Sequence, residues 1–126
     1  MKVETVADLA TYKFFLLARA IKTLAETETK GGRVEGSVMN IDCAVDKEWE
    51  AKSLNEILAA PTGALEGLSS EASELFESLG VKSIGELADF KYCRWAEAIV
   101  HASEFEESKT AKERKVEAAL KKLDAA

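Results

Sequence analysis

Proline occurs once in 126 residues and glycine seven times. An all-β protein turns its chain often and draws on both residues to do so, so the composition argues against that class. Cysteine occurs twice, at Cys43 and Cys93, with no close spacing. The two read most simply as free thiols; a disulfide stays open, but nothing in the spacing supports it. No run of 18 apolar residues is present, so no membrane span is expected. Glu4 and Asp8 stand where a secretory signal would be apolar, so export is not expected and a cytoplasmic, bacterial setting is. Positive charge is scarce: 17 Lys and Arg face 23 Asp and Glu, a net charge of −6. That balance repels nucleic acid and anionic membrane at long range.

What is present is enough for a core. Hydrophobic residues make up 47% and charged residues 32%, which does not indicate disorder. The length suits one domain, with room for a protruding helix.

The clearest pattern is internal. Residues 3–29, "VETVADLATYKFFLLARAIKTLAETET", align without a gap on residues 81–107, "VKSIGELADFKYCRWAEAIVHASEFEE", at an offset of 78. Nine positions are identical, among them Leu9/Leu87, Ala10/Ala88, Lys13/Lys91, Ala18/Ala96, Ile21/Ile99 and Glu28/Glu106. The similar pairs obey the same physics. Thr5 and Ser83 are hydroxyl N-caps with Asp8 and Glu86 three residues on, so each copy opens with a capping box and a short helix. A long helix follows. Its apolar positions are Phe14, Leu17, Ala18, Ile21, Leu24 and Ala25 in one copy, and Tyr92, Trp95, Ala96, Ile99 and Ala102 in the other. These pairs read as core and caps, and predict two like helices packed with approximate symmetry.

Between the copies, residues 27–36 form a polar, glycine-bearing connection. Residues 37–45, "SVMNIDCAV", alternate as a strand would, either as extended cover over the core or as a strand pairing with a second chain. Ser53 and Glu56 predict another capped helix, Pro61 stops it or starts the next, and Trp49 anchors the region on the core.

From Pro61 onward the chain resembles the helix-hairpin-helix family, in the variety found in tandem in repair proteins and in the C-terminal domain of the bacterial RNA polymerase alpha subunit. Leu65, Gly67 and Leu68 fill the hairpin positions, and Ala72 and Leu75 the following helix. Gly80, Val81, Ser83, Ile84, Leu87 and Ala88 fill the closing turn and helix. The resemblance covers about 25 residues, 64–88, and through the internal repeat it extends weakly to residues 3–10. It implies a fold, but such modules serve both DNA binding and protein contacts. In the family, hairpin glycines let backbone N–H groups reach a phosphate. Here Ser69 replaces the second glycine. Between Pro61 and Val81 the charged residues are Glu66, Glu71, Glu74 and Glu77, with no cation to release counterions. The hairpin is therefore not expected to bind DNA.

The C-terminal segment, residues 109–126, reverses the charge. It carries six cations, including Lys112 and Lys115, against three carboxylates, leaving the remainder at −9. Val116, Ala119, Leu120 and Leu123 form a narrow apolar seam. This is a solvated helix docked on the body, or a detachable one that binds a partner groove or a second copy. A nucleic-acid tail is the weaker alternative, because no aromatic is interleaved for stacking.

Catalytic chemistry has little to stand on. The lone histidine, His101, shares a helix face with Cys93, Glu97 and Glu104. Glu and His at such spacing can ligate a metal, but one helix cannot close a coordination sphere and no second half appears. Cys93 beside Arg94 would have a lowered pKa if exposed; burial as a small hydrophobe is the commoner fate. No nucleophile–base set, phosphate loop or cofactor fingerprint is present, so no enzyme and no cofactor are expected. Lys13 and Lys91 recur at the starts of the long helices, against the helix dipole. Either each lays its stem over aromatic neighbours or the pair binds an acidic partner.

The expectation is a mainly α, small helical domain over residues 1–108, with pseudo-symmetric long helices, an internal repeat (3–29 and 81–107) and a helix-hairpin-helix-like unit. A basic amphipathic helix follows at 109–126. The expected function is a non-enzymatic protein–protein interaction module. Its contact residues are Lys13, Arg19, Lys91 and Arg94 on the long helices and Lys112 and Lys115 on the tail. The alternatives are a nucleic-acid-associated accessory protein using the tail, and a metal- or redox-responsive protein using Cys93, Glu97, His101 and Glu104. The first unit lacks a front half of its own, so its core edge needs cover, from the second unit, from residues 37–60 or from a second chain as a homodimer.

Overall fold

The computed structural model describes residues 3–28 and 40–125, and the described residues are mainly helical, with no strand among them. The helices are α1 (Val6–Ala10), α2 (Lys13–Ala25), α3 (Leu54–Leu58), α4 (Ser70–Ser78), α5 (Ile84–Ala88), α6 (Lys91–Ser103) and α7 (Ala111–Ala125). Short 3-10 turns sit at Lys47–Trp49 and Thr62–Ala64.

Local chemistry explains the ends. Thr5 accepts from the Asp8 N–H while the Asp8 carboxylate accepts from the Thr5 N–H, the reciprocal box expected for α1. The Glu4 and Thr5 donors hold the Asp8 carboxyl below its ordinary range. At α5 only half the box forms: Ser83 caps the Glu86 N–H, but the Glu86 carboxylate meets the Ser83 hydroxyl instead of its backbone N–H. Two residues after each short helix the chain turns into a long one. Tyr12 (φ −59°, ψ 117°) and Phe90 (φ −58°, ψ 112°) do this with nearly the same backbone angles. α4 is capped by Ser69 and closed by Gly80 at φ +85°, where Val81 N–H reaches the Phe76 carbonyl and Gly80 N–H that of Glu77. Gly67, at φ +89°, makes the tight turn before α4.

Packing is reciprocal. α1 lies on α6, and α5 lies on α2. The ring of Phe76 on α4 stands 6.1 Å from Tyr12 and 6.1 Å from Phe90. Tyr12 continues to Phe14 at 5.5 Å and Phe90 to Tyr92 at 5.4 Å. The core gathers on the α2–α5 side, where Ala18, Ile21, Ile84 and Leu87 meet Ile57 of α3 with Val45, Leu65 and Val81. Each large apolar side chain among them, fully buried, contributes about 2 kcal/mol of transfer free energy. Trp49 packs against this cluster, as expected from the sequence.

α3 is tied to the end of α2. The Glu28 carboxylate accepts from the backbone N–H of Leu54 (2.7 Å) and Asn55 (3.2 Å), and Ser53 and Glu56 add their own capping box. Two carboxylates thus serve the positive end of one short helix.

Three expectations need correction. Residues 40–45 are not a strand: the Ala44 N–H bonds back to Ile41, Cys43 is exposed, and only Val45 bridges, to Leu65 of the same chain. The remainder of that stretch, 37–39, and most of the connection before it lie outside the described residues. On α6 the interior positions are Cys93 and Ala96, while Tyr92, Trp95 and Ile99 are exposed. Ala96 is covered, but the large members of the apolar stripe stay about half in solvent. On α2, Leu24 is likewise half out and Phe15 is the fully buried aromatic.

Candidate functional site

Residues of α2, α5 and α6 line one open cleft of about 920 Å³. Arg19 of α2 donates to Glu97 of α6, and Lys22 of α2 pairs with Asp89, the residue that ends α5. Both pairs are about half exposed, so they set register more than stability. Lys91 and Arg94 line the same cleft and make no ion pair among the described residues. Lys91 instead rests its ammonium over Tyr92 (5.1 Å) and Trp95 (5.7 Å). Lys13 does the same over Phe14 at 5.6 Å, so both recurring lysines lie over aromatic neighbours.

Of the residues singled out by sequence, the cleft collects Arg19, Lys91 and Arg94, and also Glu97 and His101; Lys13 does not line it, and Lys112 and Lys115 lie apart on α7. Sequence comparison of the two copies misses Lys22 and Asp89. Their counterparts at an offset of 78 are Val100 and Thr11, so matching the copies hides this bridge. The cleft is too open to enclose a small molecule and suits a chain segment laid along it.

The residues of the metal or redox alternative do not converge as a ligand cluster. Cys93 is buried, Glu97 is committed to Arg19, and His101 is exposed with its ring 5.6 Å from Phe105. Burial pushes the Cys93 thiol up to about 11, the opposite of an activated nucleophile. No cluster of three or more metal-ligating side chains occurs among the described residues.

Beside the cleft lies a second surface. Val3 and Val6 at α1, with Tyr92, Trp95 and Ile99 on α6, are 42–58% exposed. At an offset of 78 they match Val81, Ile84, Phe14, Leu17 and Ile21. All five of those belong to the core or pack against it. α7 stands off with every described residue exposed except Glu117, including its seam of Val116, Leu120 and Leu123. No helix of the described residues is long and apolar enough to cross a membrane.

Comparison with family models, with curated proteins and with solved structures finds no match.

Proposed function

We propose that this chain is a non-enzymatic protein-interaction module, made of two related units (α1–α2 and α5–α6), the second completed by a helix-hairpin-helix-like front half. The equal lengths, the matched turns at Tyr12 and Phe90 and the reciprocal packing support the relation of the units. The positive φ at Gly67 and Gly80 and the Ser69 cap support the likeness of the front half. The observation that carries the function is the bare apolar stripe of α6, with Trp95 at its edge beside Lys91 and Arg94, which have no ion-pair partner among the described residues. A rim of cations around an exposed tryptophan fits an acidic, partly apolar protein segment. The hairpin, with Glu66, Glu71, Glu74 and Glu77 all exposed, faces any phosphate with negative charge.

The test is capture of tagged protein from nuclease-treated host lysate, run beside Trp95→Asp and Arg94→Glu. A stoichiometric protein retained by the wild type and lost with both variants is the expected result. Partners that disappear with nuclease, or that remain with both variants, contradict it.

A further inference from the structure

We infer that the acidic helix α4 of one copy of this chain binds the basic helix α7 of a second copy, and its α7 the other's α4, in a reciprocal dimer. The inference goes beyond the partner reading above, since it uses neither Trp95 nor Arg94.

The two helices carry one pattern in opposite charge. On α4, Glu71 and Glu74 precede Leu75 and Leu79. On α7, Lys112 and Lys115 precede Val116 and Leu120 at the same spacings. Positions i, i+4 and i+8 of a helix form one ridge, and i+3 lies beside it. Each ridge is therefore a charged first turn followed by two apolar side chains, and all four apolar side chains are more than half exposed. Laid side by side in the same direction, the ridges put Glu71 and Glu74 against Lys112 and Lys115, and the leucines of α4 against Val116 and Leu120. The opposite direction sets leucine against lysine, so the charges select direction and register.

Neither set of charges is compensated within the chain. α4 carries three carboxylates and no cation, and α7 five cations against three carboxylates. Glu71, Glu74, Lys112 and Lys115 make no ion pair among the described residues. α7 also needs a packing partner: an isolated helix of 15 residues is marginal in water, and its seam lies in solvent.

The chain's own α4 is out of reach. α4 stands at the start of α6, where Phe76 lies 6.1 Å from Phe90 and Leu79 borders one groove with Tyr92. α7 leaves from the other end, and residues 104–106 extend α6 further as turns bonded to His101, Ala102 and Ser103. The tether is fastened forward: Arg114 donates to the Lys109 carbonyl, and the Lys109 ammonium pairs with Glu117. All of α6, roughly 20 Å of helix, therefore lies between Lys112 and α4. α6 repeats the basic pattern at Lys91, Arg94, Trp95 and Ile99. Its Lys91 already rests over Tyr92 and Trp95, however, and its two Lys and Arg cations face Glu97 on the same helix. α7 is the stronger electrostatic match for α4. Two single-helix junctions make a small interface, so the dimer is weak.

The test is sedimentation equilibrium of the full chain, of Glu74→Lys, of Lys115→Glu, of those two variants mixed, and of Arg94→Glu. All three residues are exposed, so matching thermal midpoints at high dilution verify the fold. The wild type is expected to dimerise at about ten to a hundred micromolar, more weakly at high salt. Glu74→Lys and Lys115→Glu alone should each associate at least about tenfold more weakly, and Arg94→Glu should match the wild type. The mixture should recover association, because both junctions of the heterodimer again join opposite charges. Wild type that stays monomeric at about 300 μM overturns the inference. So does a dimer broken by Arg94→Glu but not by Lys115→Glu, which means α6 receives α4, and so does a mixture that recovers nothing. A monomer that still captures its partner through Trp95 and Arg94 sinks the dimer and leaves the interaction module standing.

Discussion

Ile21 and Ile99 hold matched places in two helices of 13 residues, yet one is 1% exposed and the other 58%. Helical periodicity finds both, because it reports which side chains share a stripe. It carries no information on whether anything stands opposite, and for Ile99, Trp95 and Tyr92 that information lies in other segments. Ile21→Ala should therefore cost about 2–5 kcal/mol of stability, while Ile99→Ala should cost no more than about 0.5 kcal/mol, both read by denaturant unfolding of dilute protein. Equal losses would contradict the burial pattern. Cys93 gives a second prediction at this scale. Its thiol ionises at about 11 in the folded chain and near its ordinary value of 9.0 when unfolded. Between those values unfolding releases a proton, so stability should fall as pH rises through that window, by at most about 3 kcal/mol. Cys93→Ala should flatten this alkaline slope. Alkylation at about pH 8 should label Cys43 readily and Cys93 only after unfolding, as mass spectrometry would show.

Helix starts are the most legible features at the scale of elements, because a cap is a local bond between near neighbours. Thr5, Ser53 and Ser83 all cap where their spacing predicts. Ser53→Ala should cost about 1 kcal/mol, read by the same unfolding titration. Residues 37–45 resemble a strand in sequence because alternation over a few residues is also produced by a turn, here with Ile41 and Ala44 packed inward and Cys43 outward. Pairings between elements are not legible at all. Arg19 and Glu97 lie 78 residues apart, and their contact is invisible in either segment alone. Reversing one charge should destabilise slightly. The double reversal, Arg19→Glu with Glu97→Arg, should restore stability, with a coupling below about 1 kcal/mol because the pair is half exposed. A double reversal no better than either single change would mean that the pair does not join α2 to α6.

At the scale of the whole molecule, the decisive feature is an imbalance. Residues 41–81 cover the α2–α5 side and give it a core, while the corresponding α1–α6 side has Val3, Val6, Trp95 and Ile99 in solvent. The mainly helical class is legible from composition and periodicity. The location of the bare side is not, since it depends on which face the intervening residues choose. The candidate site is half legible for the same reason: Arg19, Lys91 and Arg94 recur or stand out in sequence, but only packing brings Lys22 and Asp89 beside them. The most direct test is acrylamide quenching of Trp95 fluorescence in a Trp49→Phe background, measured from nanomolar to high micromolar concentration. Strong quenching and red-shifted emission are expected at dilution. A Trp95 already shielded in dilute monomer would contradict the bare α6 face.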